Sequence, residues 1–232
     1  MESKTYIIKS KAEIAPEIIK LDLVPEDGKP IQYAPGQFML LTAPNGTKRA
    51  YSIASSPNME ALEFAIKLVE NGEFTSQIPT FKVGDKLNVE GPLGPFIYNT
   101  CGQYVLIAGG IGITPMISIL RDRDGKHECE TVTLFYSART KEDLAYLSEL
   151  EEIDSKNDNL TSVFTLTREK PKDWKYETGH VDEAMLKKYV PNLKESRFFV
   201  CGPAKMVDSF KELLVEKLGV PEENCTFEGW NV

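Results

Sequence analysis

The chain is poor in clustered metal-ligand chemistry. Its 232 residues contain four cysteines and two histidines. Cys101, Cys129, Cys201 and Cys225 lie far apart with no Cys-x-x-Cys, so the local spacing of a zinc site or iron–sulfur cluster is missing. His127 and His180 are isolated from each other, and no metal is expected. A long apolar run is also lacking. The stretch from Val105 to Leu120 is interrupted by Gly109, Gly110, Gly112, Thr114, Pro115 and Ser118 and falls short of a membrane span. The first residues, Met-Glu-Ser-Lys-Thr-Tyr, carry charge with no apolar segment behind them, so no secretory signal is read and a cytoplasmic protein is expected. Nor is there a basic excess: 27 Lys and Arg face 35 Asp and Glu, a net charge of −8, which argues against nucleic acid as the main partner.

What is present is an ordinary globular composition, 41% hydrophobic and 27% charged, long enough for one large or two small domains. The two halves follow different patterns. Tyr6–Ile8, Ile18–Leu23, Phe38–Thr42, Ala50–Ala54, Leu62–Leu68 and Lys86–Val89 read as short strands separated by turn residues, which predicts an antiparallel six-stranded β-barrel over residues 1–98. From 99 to 232 the reading changes to an α/β domain. Tyr104–Ala108, Thr131–Tyr136, Leu160–Leu166 and Arg197–Val200 read as buried strands. Helical segments lie between them: one behind a Thr140/Asp143 capping box with Leu144, Leu147, Leu150 and Ile153, another through Met206, Phe210, Leu213, Leu214 and Leu218. Strand–helix alternation predicts a parallel-sheet nucleotide-binding domain. The joint is expected near Tyr98–Gln103.

Two short runs carry most of the chemistry. Gly109-Gly110-Ile-Gly112-Ile-Thr114-Pro115 follows an apolar strand and opens a helix, with Thr114 suited to cap it and Pro115 to its first position. Such a turn brings backbone N–H groups and a helix start to a pyrophosphate, although tight packing alone can also demand glycine there. Arg49-Ala-Tyr51-Ser52 offers a cation, a ring and a hydroxyl on one strand, as an exposed edge strand also would. Further on, Lys67 to Ser76 passes from a strand through Gly72 into an expected helix start at Thr75 and Ser76, a second anion cradle or a plain hairpin or capped helix. Cys201-Gly202-Pro203 ends the last apolar strand, where parallel sheets bind ligands. At the end of the second strand of this half, Ser137 and Arg139, with Arg168 near, offer no early carboxylate for a ribose and lean towards NADPH over NADH.

In this order the motifs resemble the ferredoxin–NADP reductase-like flavoprotein family, from about Pro35 to the C-terminus. Its markers are Arg49-x-Tyr51-Ser52, Gly72-x-x-Thr75, Gly91-Pro-x-Gly94-x-Phe96, Gly109-Gly-x-Gly112-x-Thr-Pro115 and Cys201-Gly-Pro203. The resemblance implies a barrel that binds FAD and a second domain that binds NADPH or NADH. Arg49 and Thr75 would face the FAD pyrophosphate, Tyr51 would pack on the ring system, and Ser52 would bond near the nitrogen that receives hydride. Ile66, Lys67, Val69, Gly72, Phe74 and Ser76 would complete the FAD side. Gly110, Gly112, Pro115, Ser137, Arg139, Arg168, Gly202 and Pro203 would hold the nucleotide, with Thr114 at the junction of both rings. Cys201 would lie beside the nicotinamide, Glu228 would be the carboxylate near the flavin, and Trp230 would cover the ring. Ser52, Cys201 and Glu228 are thus the expected catalytic residues.

The implied enzyme is a flavin-dependent NAD(P)H reductase that passes electrons to a separate carrier such as a ferredoxin, a flavodoxin or an iron–sulfur component. The chain lacks the cysteine cluster found in some relatives, so the acceptor is expected to be another protein or a diffusible molecule. Two rivals stay open: a reductase of free flavin, and a redox-inert nucleotide-binding subunit of a larger complex.

Overall fold

Alternating in-and-out side chains build the first sheet. In the computed structural model, which describes residues 2–95, 102–123 and 130–230, β1 (Glu2–Ala15) buries Tyr6 and Ile8, and β3 (Phe38–Thr42) buries Met39 and Leu41. With β2 (Ile18–Pro25), β4 (Lys48–Ser52), β5 (Leu62–Lys67) and β6 (Lys86–Leu93) they form one sheet in the order β4-β3-β6-β1-β2-β5. Every pairing is antiparallel. β1 is much longer than the run Tyr6–Ile8 suggested. Residues 2–7 pair with β6 and residues 6–15 with β2, the latter across bulges after Ile8 and Glu13, while polar residues from Lys9 onward break its apolar signal. Inside lies a core of Tyr6, Ile8, Leu21, Leu23, Met39, Phe64 and Phe74.

The second sheet is buried on both faces and reads as unbroken apolar runs. β7 (Gly102–Gly109), β8 (Glu130–Ala138), β9 (Leu160–Leu166), β10 (Glu177–Thr178), β11 (Arg197–Pro203) and β12 (Cys225–Trp230) pair in parallel in the order β10-β9-β8-β7-β11-β12. Chain direction across the sheet reverses between β7 and β11, the switch point at which such sheets bind ligands beyond their strand ends. Val105, Ile107, Phe135, Phe198 and Val200 form a core with Leu186 of α3 (Glu183–Tyr189) and Val207 and Phe210 of α4 (Ala204–Lys211). β12 and α3 were not foreseen. β12 is only half-buried, and α3 is short, but Asp182 caps it by accepting from the Met185 N–H at 2.8 Å.

By packing, residues 2–95 and 114–123 form one unit, and 102–113 with 130–230 form the other. Most of α1 (Ile113–Arg123) therefore belongs with the antiparallel sheet.

Two local expectations need correction. Asp143 does bond back to the Thr140 N–H, at 3.2 Å, but the box closes a turn. The helix α2 (Leu147–Ser155) starts later, because Tyr146 sits at φ 62 and interrupts the helical path. The expected helix after Gly72 is only a short 3-10 turn, Thr75–Thr80, with Pro79 inside it. Phe96, Cys101, Cys129 and most of the expected joint lie outside the described residues. Among the described residues, no helix is long and apolar enough to cross a membrane, and no group of three or more His, Cys, Asp or Glu could hold a metal.

Candidate functional site

On the antiparallel sheet, β4 carries the cation, the ring and the hydroxyl. Arg49 is exposed and its guanidinium pairs with Glu73 at 2.7 Å, while Nη1 donates to the Lys48 carbonyl at 2.9 Å. Two residues on, the Tyr51 ring meets Phe74 at 5.1 Å and 55°, and burial holds its hydroxyl well above the ordinary phenol range. Ser52 ends the strand opposite Phe38 and is half-buried.

Phe74 in turn packs edge-on against Phe81 at 6.2 Å, which ties the loop after β5 into the core. That loop brings Val69, Gly72, Glu73 and Thr75 together. Thr75 Oγ1 donates to the Val69 carbonyl at 3.1 Å and accepts from its N–H at 3.3 Å. A Cβ at position 72 would lie 2.3 Å from this oxygen. Gly72 is thus required by the turn itself, and the Thr75 hydroxyl is engaged within it. Ser76 is exposed, Ile66 is buried within β5, and Lys67 reaches Glu17 at 3.9 Å.

Thr114 and Pro115 lie buried in the first turn of α1. The expected cap at Thr114 is displaced, because the chain already turns helically through a 3-10 segment at Gly110–Gly112. Pro115 still falls where its missing N–H costs no hydrogen bond.

The glycines of the parallel sheet separate by role. Gly110 stands at φ +53 with nothing within 4 Å of where a Cβ would be, so a ligand could approach its backbone. At Gly112 a Cβ would fall 2.2 Å from the Cys201 carbonyl oxygen, so this glycine serves close approach to β11. At Gly202 a Cβ would meet Met206 Cε at 2.5 Å, and at Gly109 it would meet Met206 Sδ at 2.4 Å. Met206, whose spacing in the sequence marks only a helix face, fills the space above both strand ends. Pro203 is exposed at the end of β11.

β12 sets Glu228 beside Cys201 and Trp230 beside Pro203. Glu228 Oε1 is buried with no hydrogen-bond partner among the described residues, and burial pushes the carboxyl up to about 7. Burial, and then the charge of Glu228, raises the Cys201 thiol well above its usual value, which keeps it protonated. On the far side of β7, Ser137 is the last-but-one residue of β8, opposite Gly109. Arg139 and Arg168 follow β8 and β9, joined by the Arg168 N–H to Arg139 carbonyl bond of 3.0 Å. Both arginines are exposed and have no salt-bridge partner among the described residues.

Each unit therefore presents residues that fit a dinucleotide. One pairs a surface cation with an aromatic ring, and the other has an open glycine turn at a sheet switch point. Glu73 and Met206 have no local signature as site residues in the sequence, one being a carboxylate in a loop and the other a helix methionine.

Residues 5–98 match the family described as "Oxidoreductase FAD-binding domain", and residues 106–212 match "Oxidoreductase NAD-binding domain". The chain is 30% identical to NADH-cytochrome b5 reductase 1 of Aspergillus terreus, over 94% of this chain and 78% of that protein. Flavohemoprotein A of Dictyostelium discoideum is 27% identical over 98% of this chain, which spans only 60% of that relative's length. A solved structure described as the ferredoxin reductase in carbazole 1,9a-dioxygenase superposes with a TM-score of 0.84 at 28% identity, covering 98% of this chain and 69% of that one. The two matched domains, in this order on this fold, show that the chain belongs to the ferredoxin–NADP reductase-like family of flavoproteins.

Proposed function

We propose that the protein is an FAD-dependent NAD(P)H reductase that hands electrons to a separate one-electron carrier. The observation that carries this is the coexistence of the Arg49–Tyr51–Ser52 strand with the open Gly110 turn at the sheet switch point. FAD, when bound, supplies acceptance of a hydride and stepwise release of its electrons. Arg49 binds the cofactor's phosphates, Tyr51 lies against its ring system, and Ser52 donates a hydrogen bond to it. The Gly110 N–H and the helical turn that follows bind the nucleotide pyrophosphate. Gly112 and Gly202 shape this crevice, Cys201 keeps a small neutral thiol in it, and Thr114 and Pro115 stand in the first turn of α1. Glu228 holds or releases a proton at its carboxyl near neutral pH, and Trp230 offers an aromatic ring at the end of β12.

Arg139 and Arg168, two exposed cations with no described partner, support a preference for the 2′-phosphate of NADPH. A relative named for cytochrome b5 and a structural neighbour named as a ferredoxin reductase support a one-electron protein as acceptor. The test is the visible spectrum of the purified protein, before and after anaerobic NADPH. Flavin absorption that bleaches supports the reading. A colourless protein that reduces added flavin, or one that does neither, rejects it.

A further inference from the structure

Ser52 needs a fixed orientation, and the chain just beyond it is heavily tied. The Ile53 N–H donates to the Gln37 carbonyl at 3.0 Å and the Ala54 N–H to the Glu63 carbonyl at 2.8 Å. The Ala54 carbonyl accepts from Arg121 Nη1 at 2.9 Å, and the Ser55 carbonyl accepts from Ser118 Oγ at 2.6 Å and from the Tyr33 hydroxyl at 3.0 Å. Arg121 Nη1 also meets Glu63 Oε1 at 2.9 Å, while Lys20 Nζ stands 3.6 Å from Glu63 Oε2. The Glu63 side chain is 4% exposed and that of Arg121 12%. Arg121 and Ser118 both project from α1, whose residue Thr114 lies about one helical turn before Ser118 and two before Arg121. Buried ion pairs seldom stabilise more than apolar residues of equal size, so this one calls for another role.

We propose that Arg121, with Ser118, is a positioning residue: it clamps α1 to residues 54–55 so that Ser52 and Thr114 ride on one rigid body. This rests on the role of Ser52 proposed above. Removing both charges together avoids an orphaned buried ion, so the test uses the full FAD-loaded chain carrying Arg121→Met and Glu63→Met. Ser52→Ala is the reference. FAD affinity should stay within about twofold, while flavin reduction by NADPH slows by about tenfold or more at unchanged nucleotide affinity. Amide exchange at residues 54–56 should quicken. Arg121→Lys should fall between, because an ammonium lacks the planar fork of donors. Wild-type reduction in the double variant, with Ser52→Ala slowed, overturns the clamp and leaves the Ser52 role standing. Wild-type reduction in Ser52→Ala overturns both. Should the double variant fail to fold, Ser118→Ala decides. It removes one bond and should quicken exchange at 54–56 and slow reduction by about threefold; no change in either overturns the proposal.

Discussion

Glu228 gives a stability test that needs no substrate. Its carboxyl is moved from the ordinary 4.5 to about 7 by burial, which disfavours the charged form in the folded state. The sign follows from proton counts. Between about pH 4.5 and 7 the folded chain holds a proton that the unfolded chain has released, so stability falls as pH rises through that window and levels off above it. At about 1.4 kcal/mol per pH unit, this shift sets a ceiling of about 3 kcal/mol. Partial solvent access reduces that to about 1.5 kcal/mol. Glu228→Gln removes the titration. Urea unfolding of both proteins from about pH 4.5 to about pH 8 isolates the effect, because all other groups cancel in the difference. The wild type should lose about 1.5 kcal/mol relative to the variant across that range. A flat difference would falsify the assignment of a raised carboxyl at this position. If the carboxyl titrates near 7, it is half-protonated at neutral pH, as a residue that holds and releases a proton should be.

Other perturbations probe the glycines and the cations. Gly112→Ala places a Cβ 2.2 Å from a backbone oxygen and should cost about 3 kcal/mol or more. Gly110→Ala meets only left-handed strain of about 1–2 kcal/mol and should fold but bind nucleotide weakly. Thermal melts with nucleotide titration separate them, and a wild-type melting temperature for Gly112→Ala contradicts the close approach to β11. Glu73→Gln frees Arg49 from an exposed pair, so stability should hold while FAD affinity rises by about two- to fivefold. Unchanged affinity in equilibrium titration counts against Arg49 as a phosphate ligand. Arg139→Ala should raise KM for NADPH by about tenfold and for NADH by less than about twofold; equal shifts in steady-state kinetics defeat the NADPH preference.

The fold was legible wherever burial dictates the pattern. β2, β3 and β5 could be read to within about two residues, because one or both faces are covered and turn residues bound them. β7 and β9 stood out because parallel strands covered on both faces are continuously apolar. The misses have local causes. Most of β1 lies beyond its apolar start and is bent by bulges. β12 mixes Glu228, Gly229 and Trp230 with no period, since it is held by pairing with β11 and not by its own composition. At α2, a left-handed Tyr146 overrode an otherwise sound helix-start signal.

The glycines show why a site is harder to read than a fold. Gly110, Gly112 and Gly202 look alike in sequence, and the resemblance implies a cofactor-binding role for all three. In space, only Gly110 faces open room; Gly112 admits the Cys201 carbonyl and Gly202 admits Met206. The same ambiguity holds at Gly72, whose missing side chain makes room for the Thr75 hydroxyl. A glycine requirement records that something comes close, and sequence cannot say whether that neighbour is ligand or protein. The closed positions still bear on function. Gly112 lets the glycine turn approach the Cys201 carbonyl, and Gly202 lets Met206 pack over the end of the strand that carries that thiol. Substitution at either should therefore disturb stability before affinity, whereas substitution at Gly110 should do the reverse.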